Sequence, residues 1–266
     1  MIARVLSIAG SDSGGGAGIQ ADIKTITALG GFAATAITAL TAQNTQGVSA
    51  IEAVSPDFVV AQIKAVRDDI GLDGIKIGML HRTEVVEAVA DYFDSLRGLP
   101  PLVLDPVMIA KGGAALLSDD AQSTIVDRLI SRHTTLLTPN IPEAEALTGT
   151  KIENLEQMKA AGKLLQSMGP KAVLVKGGHL EGSDVTDVLV SEEGVRVFDH
   201  PRVNTRHTHG TGCTLSSAIA TGLAQGLSMT DSVERGLRYV EIAIHEAPGF
   251  GNGHGPLHHG HTVGEF

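Results

Sequence analysis

The sequence predicts an α/β protein: a three-layer αβα sandwich around a mostly parallel central sheet, forming one domain over 1–266. Three observations predict it. Strand-like and helix-like segments alternate from end to end, the pattern of a parallel sheet covered by helices on both faces. Glycine is abundant, at 32 of 266 residues, as many short strand-to-helix turns require. No proline-rich or low-complexity linker divides the chain, and no internal repeat is present.

The elements follow in order. Arg4–Ala9 reads as a buried strand, and Ile19, Ile23 and Ile26 follow at helical spacing. Phe32–Leu40 is strand-like, and Gly47–Val54 reads as a short edge strand. Pro56 opens a helix with Phe58, Ile63 and Val66 on its apolar side. Gly74–Gly78 is a short strand, and Val85, Val89 and Phe93 mark the next helix. Leu102–Leu104 is a strand that ends in Asp105-Pro106. A helix around Ile125–Ile130 leads to a strand at Thr135–Leu137. Pro142 opens another helix, and Leu155–Met168 is helical. Ala172–Lys176 is a strand, Val185–Phe198 a hairpin, and two final helices start near Cys213 and Thr230.

Composition narrows the function. Hydrophobic residues make up 42% and aromatics 3%, with no Trp, so the core is aliphatic. A net charge of −10 argues against a nucleic-acid surface. One cysteine excludes a disulfide framework and fits a reducing cytosol. The segment Met1–Gly10 is not built like a signal peptide, and the apolar runs fall short of a membrane span. A soluble, intracellular protein is expected, in keeping with a cytoplasmic location.

The most informative segment is Thr208-His209-Gly210-Thr211-Gly212-Cys213-Thr214. A glycine-threonine turn places the sole thiol at the mouth of an apolar helix. Free N–H groups at such a mouth hold anions and lower a thiol pKa. Other candidates follow predicted strands. They are Gly10–Gly18, Gln43-Asn44, Asp105, Asn140–Glu143 and Lys176-Gly177-Gly178. In an αβα sheet, ligands bind outside the carboxyl ends of the strands, so these segments are expected to converge on one rim.

Each candidate has two readings. The Gly10–Gly18 loop lacks a P-loop ending and a clear dinucleotide fingerprint; it is either a tight turn or a close backbone approach to a small ligand. Asp22 lies on the apolar stripe of its helix and needs a partner, either a substrate hydroxyl or amine or a neighbouring loop. Glu143 either complements a helix dipole or holds Mg²⁺ through water while Asn140 touches a nucleotide phosphate. Asp105 is either a second acidic contributor or a turn residue before Pro106. Lys176 either neutralises phosphate or snorkels to the surface. His207 and His209 lack the further ligands that would complete a zinc site with Cys213.

With these residues in view, the chain resembles the hydroxymethylpyrimidine/phosphomethylpyrimidine kinases of thiamine biosynthesis, within the ribokinase-like superfamily. The resemblance rests on Ile8-Ala9-Gly10-Ser11-Asp12-Ser13, Gly16–Asp22, Thr41–Thr45, Lys76–Leu80, Val103–Met108, Thr138-Pro139-Asn140, Lys176–His179, Thr208–Cys213 and Gly255–His259. It implies ATP-dependent phosphorylation of 4-amino-5-hydroxymethyl-2-methylpyrimidine, and a second phosphorylation to the diphosphate. It implies that Gln43 and Asp22 contact the pyrimidine and its hydroxymethyl group, with Gly10, Met79 and Val107 in the same pocket. Asn140, Lys176, Gly177, Gly178 and Thr211 would bind ATP. Glu143, with Asp105, would organise Mg²⁺. Gly210, Gly212 and Cys213 would form the anion hole, with Cys213 where related kinases carry an aspartate base. A homodimer is implied as well. Pyridoxal or pyridoxine kinases and a non-catalytic sensor on the same fold are the alternatives. Gln43 favours the aminopyrimidine, because an amide can both accept from an amino group and donate to a ring nitrogen.

Overall fold

The computed structural model describes residues 1–108, 119–179 and 182–264. The first strand, β1 (Arg4–Asp12), is buried along most of its length. It runs three residues beyond the apolar stretch Arg4–Ala9, because Ser11 and Asp12 still pair with Leu40 and Thr41. A glycine turn leads to α1 (Gly18–Ala28), then β2 (Phe32–Asn44) and β3 (Gly47–Ala53). Helix α2 (Pro56–Asp69) leads back to β4 (Gly74–Ile77) on the other side of β1. The chain continues through α3 (Thr83–Asp94) and β5 (Leu102–Leu104). Next come α4 (Asp119–Ile125), a π-helical turn at Val126–Ile130 and α5 (Ser131–His133). Then follow β6 (Leu136–Leu137), α6 (Ile141–Thr148), α7 (Leu155–Ser167) and β7 (Ala172–Val175). The hairpin of β8 (Asp184–Ser191) and β9 (Gly194–Pro201) precedes α8 (Thr211–Ala224) and α9 (Met229–His245).

Among the described residues the strands form one sheet, in the order β3-β2-β1-β4-β5-β6-β7-β8-β9. The six strands from β2 to β7 run parallel. β3 flanks them antiparallel on one side, and the β8–β9 hairpin does so on the other. The expected edge strand and hairpin therefore close the two ends of the sheet.

Successive side chains of a strand point to opposite faces, and the sheet carries a core on each. Leu6 and Ile8 pack with Val59 and Ile63 of α2 and Val85 and Phe93 of α3. Val5 packs on the other side with Ile26 of α1, Leu215 and Ile219 of α8, and Val240 of α9. Phe58 corrects the sequence reading. It is 60% exposed, and α2 buries Val59 beside the expected Ile63. Those two lie one helical turn apart, and Phe58 is rotated about 100–140° from them. Helix α1 buries Ile19, Asp22 and Ile26, as its stripe predicted, and leaves Ile23 exposed.

Two features of the fold position the site. The connections from β1 to β2 and from β3 to β4 cross opposite faces of the sheet. A crevice therefore opens at the carboxyl ends of β1 and β4, where the strand order reverses. The segment after α9 folds back over this end. Gly253 N–H donates to Thr45 Oγ1 at 3.2 Å, His254 N–H to the Thr45 carbonyl at 2.9 Å, and His209 N–H to the Gly255 carbonyl at 3.1 Å. His259 meets Thr214 Oγ1 through its Nε2 at 2.9 Å, which gives one of the tail histidines a packing partner. Among the described residues no helix is long and apolar enough to cross a membrane.

Candidate active site

A cleft of about 790 Å³ lies along the carboxyl ends of the strands. Gly10, Gln43, Met79 and Val107 wall one part of it. Asp105, Lys176 and the α8 start at Gly210–Cys213 also line it, as do Asn140, Glu143 and Gly178. Asp22 and Gly177 are the two predicted site residues outside this lining.

At the Gln43 end, Asp12 organises the glycine loop. Its Oδ1 accepts from Gly14 N–H at 2.8 Å. Its Oδ2 accepts from Gly16 N–H at 3.0 Å, Ala17 N–H at 2.8 Å and His209 Nε2 at 2.8 Å. Burial opposes the charge, but His209 and the backbone donors outweigh it and hold Asp12 below the usual carboxylate range. The loop donors are thus turned onto Asp12. Two of the loop glycines serve packing: a Cβ on Gly16 would strike the His209 ring, and Gly18 presses on the Gly10 carbonyl at φ +57°. Gly10 does face the cleft, and a Cβ there would strike the Met79 methyl. Gln43 Oε1 accepts from Thr41 Oγ1 at 3.1 Å, and its Nε2 lies 3.4 Å from His209 Nε2.

Helix α8 starts at Gly210, whose φ of +85° and contact with the Gly16 carbonyl leave no room for a side chain. Thr211 N–H bonds the Thr208 carbonyl at 3.4 Å. The N–H groups of Gly212 and Cys213 lie in the first turn, where the helix itself offers no acceptor. Lys176 Nζ donates to Asp105 Oδ1 at 2.8 Å. A Cβ on Gly212 would sit 3.1 Å from that Nζ and 3.4 Å from Asp105 Oδ2, so the missing side chain lets the ion pair approach the turn. Burial favours a neutral lysine, but the Asp105 and Glu143 carboxylates outweigh it and keep Lys176 charged.

The Cys213 thiol differs from the sequence expectation. Burial pushes it up to about 11, and the charge of Lys76 offsets this only in part. The helix terminus therefore does not deliver a thiolate at neutral pH.

Asn140 and Glu143 form a reciprocal cap. Asn140 Oδ1 accepts from Glu143 N–H at 2.9 Å, and Glu143 Oε2 accepts from Asn140 N–H at 2.8 Å. Both still wall the cleft, so the cap is what positions them there. Glu143 is pushed up to about 7, chiefly by burial; Lys176 opposes the rise and Asp105 adds to it.

Two expectations need correction. Asp22 does not reach the cleft. It is fully buried, and its carboxylate accepts from Lys76 Nζ at 2.9 and 3.0 Å, Ser7 Oγ at 2.5 Å and Ser217 Oγ at 2.6 Å. Its partners are protein groups from three other elements. Gly177 faces inward: its N–H donates to Asp187 Oδ1 at 2.8 Å, and a Cβ would collide with the Thr186 carbonyl. Gly178 is the open one of the pair, with no atom near the position of a Cβ.

The sequence reading assigned no role to Asp12, Lys76 or Asp187 and weighed His209 only as a metal ligand. One signal was available for Lys76: a lysine between Ile75 and Ile77 in a strand that is buried throughout.

A helix start, a lysine–aspartate pair and a capped glutamate line one cleft at a parallel sheet's switch point, an arrangement that suits a small-molecule phosphotransferase. The comparisons with known proteins agree. The phosphomethylpyrimidine kinase family model matches residues 12–258. The chain is 45% identical over 259 residues to a hydroxymethylpyrimidine/phosphomethylpyrimidine kinase of Bacillus subtilis, covering 97% of this chain and 95% of that protein. It is 49% identical over 255 residues to a thiamine biosynthesis bifunctional protein of Geobacter sulfurreducens; the match takes in 96% of this chain and about half, 52%, of that longer protein. The pyridoxal kinase of Staphylococcus aureus, solved with AMP-PCP and pyridoxal, superposes with a TM-score of 0.89 at 29% identity, covering 98% of this chain and 94% of that one. The chain belongs to the phosphomethylpyrimidine kinase family.

Proposed function

We propose that this protein transfers the γ-phosphate of ATP to the hydroxymethyl oxygen of 4-amino-5-hydroxymethyl-2-methylpyrimidine, and then phosphorylates the monophosphate to the diphosphate. The observation that carries the reading is that the acceptor residues Gln43 and Met79 share one cleft with Lys176, Cys213 and Asn140. Family membership supplies the substrate class.

In the first transfer the alcohol oxygen bonds to the γ-phosphorus as the bond to the β,γ-bridging oxygen breaks, and ADP leaves. The hydroxyl proton departs, and Cys213 Sγ, through the small thiolate fraction present at neutral pH, is the group assigned to take it. Phosphoryl transfer depends mostly on positioning and charge neutralisation, so a weak base suffices. Lys176 and the Gly212 and Cys213 N–H groups meet the charge that develops on the transferred phosphoryl oxygens. The second transfer starts from a phosphate oxygen that is already ionised near neutral pH. It makes no such demand on the thiol.

The donor set suits a divalent cation. Glu143 and Asp105 both line the cleft beside Lys176, and burial, with the Asp105 charge, pushes Glu143 up to about 7. A neighbouring cation would relieve both. Glu143, with Asp105, would hold Mg²⁺ through water, and the metal would neutralise ATP phosphate charge. Resemblance to the family also supports a homodimer working in the cytoplasm.

The test is product identification. Purified protein, ATP and Mg²⁺ are incubated with the aminopyrimidine alcohol, its monophosphate or pyridoxine, and products are read by mass spectrometry. Mono- and diphosphate from the pyrimidines are expected. Turnover of pyridoxine alone would move the protein to the vitamin B6 branch, and no turnover of any acceptor would leave a binding protein.

A further inference from the structure

The reaction just described leaves one charged group unused. Lys76 lies in β4 with 0% exposure, one of the largest fully buried side chains among the described residues. A lysine there is costly to bury, yet the site stays charged: burial alone would favour the neutral amine, and the Asp22 carboxylate outweighs it and raises Lys76 above its ordinary value. The pair is held from several sides. Asp22 Oδ1 takes Lys76 and Ser217, and Oδ2 takes Lys76 and Ser7. These residues come from α1, α8, β4 and β1, so the pair is tied to the same helix that carries Cys213.

A buried pair can be simple packing, but the position of this one argues otherwise. Lys76 is part of the cleft wall although it exposes no surface. A Cβ on Gly78 would lie 2.8 Å from its Nζ, so a glycine keeps that space open. An ammonium has three N–H donors, and the partner that holds it, Asp22, lies outside the cleft lining. Among the charges acting on Cys213, Lys76 is the strongest that favours an anion; Asp22 and Asp105 oppose it, and Gly18 N–H and Lys176 assist.

We propose that Lys76 is a positioning residue for phosphoryl transfer: locked by Asp22, Ser7 and Ser217, it fixes a positive charge beneath the acceptor end of the cleft and acts through Cys213. Lys176 faces the other charged wall, with Asp105 and Glu143, so the two lysines have separate tasks. This inference rests on the kinase reading for its purpose. Its first test does not, because it reads the thiol without any substrate.

Cys213 is the sole cysteine of the chain, so alkylation by iodoacetamide reports on it alone. Its rate is measured from pH 7 to 11 in wild type, in Lys76→Met and in Lys76→Met combined with Asp22→Asn. The single variant leaves a buried carboxylate unpaired and is expected to lose stability. The double variant removes both charges at near-constant volume, and an amide can still bond the two serine hydroxyls. It is expected to fold, as read by circular dichroism. In the folded double variant, alkylation is expected to fall at each pH below 10, by less than the roughly tenfold that losing one close opposite charge brings, because the opposing Asp22 charge is removed with Lys76. The kcat for the alcohol acceptor is expected to fall at least as far, while the KM for ATP stays within about twofold. A double variant with the wild-type alkylation profile and turnover would overturn the proposal and leave the pair as packing. A lowered kcat with an unchanged alkylation profile would also overturn it, because the charge would then not act through Cys213.

Discussion

Asp12→Asn offers the most direct test of how the acceptor end is built. The carboxylate takes four donors, one on Oδ1 from Gly14 and three on Oδ2 from Gly16, Ala17 and His209. An amide can keep its oxygen on the three-donor side only by turning its NH₂ against Gly14 N–H. That orphans one donor at about 1–3 kcal/mol. The three surviving bonds also lose the charge that makes them roughly twice as strong as neutral ones. Together the loss is about 2–5 kcal/mol, or roughly 5–15 °C in melting temperature for a chain of this size. The gap should depend on pH with a definite sign. The folded protein holds Asp12 below its usual range. Its stabilisation is therefore full above the unfolded value of about 4, and it is lost as pH falls through the lower folded value. Wild type and variant should converge in acid. Differential scanning calorimetry from pH 2.5 to 7 measures this, and acceptor and ATP KM values are taken at pH 7.5. The acceptor KM should rise more than the ATP KM, because Asp12 braces the loop beside Gln43. A melting temperature within about 2 °C of wild type at pH 7, together with an unchanged acceptor KM, would refute the reasoning.

Three further outcomes follow from the cleft. Gln43→Ala should raise the KM for the aminopyrimidine about tenfold and leave that for ATP nearly unchanged, since a polar ligand group left unpaired in a closed pocket costs about 1–3 kcal/mol; equal KM values for wild type and variant would remove Gln43 from recognition. Glu143→Gln keeps an oxygen for the Asn140 cap but removes a charge from the metal's surroundings, so more Mg²⁺ should be needed for half-maximal rate. A superimposable Mg²⁺ titration would confine Glu143 to capping. Cys213→Ser should slow phosphorylation of the alcohol by roughly 10²–10⁴-fold, the usual cost of losing a general base, and slow that of the monophosphate much less. Small, equal losses with both acceptors would make Cys213 a packing residue.

What the sequence made legible was what periodicity and strand ends encode. Asp22 was rightly placed on the buried stripe of α1, because i, i+3 and i+4 neighbours share a face. Its partner was not legible: Lys76 lies 54 residues away and Ser217 195 away. The same limit hid the bond between Asp12 and His209, which spans 197 residues. Gly177 and Gly178 show a subtler limit. Adjacent in sequence and identical in type, they take opposite roles, because Asp187 and Thr186 of β8 claim the first. The thiol of Cys213 was misread for a different reason. A helix terminus is local and visible in sequence, whereas the burial that overrides it comes from the whole fold. Asn140 and Glu143 were legible as an either-or, and the cap turned out to be the means by which both reach the cleft.

The return of residues 253–255 to Thr45 and His209 sets an order of events during synthesis. Gly253 is made 208 residues after the threonine it holds. While the ribosome still encloses that stretch, the sheet and the helices before it can dock, but the β2–β3 turn and the approach to α8 lack their brace. A nascent chain thus carries an acceptor pocket that is open on one side, and the pocket is completed only when this stretch emerges from the ribosome.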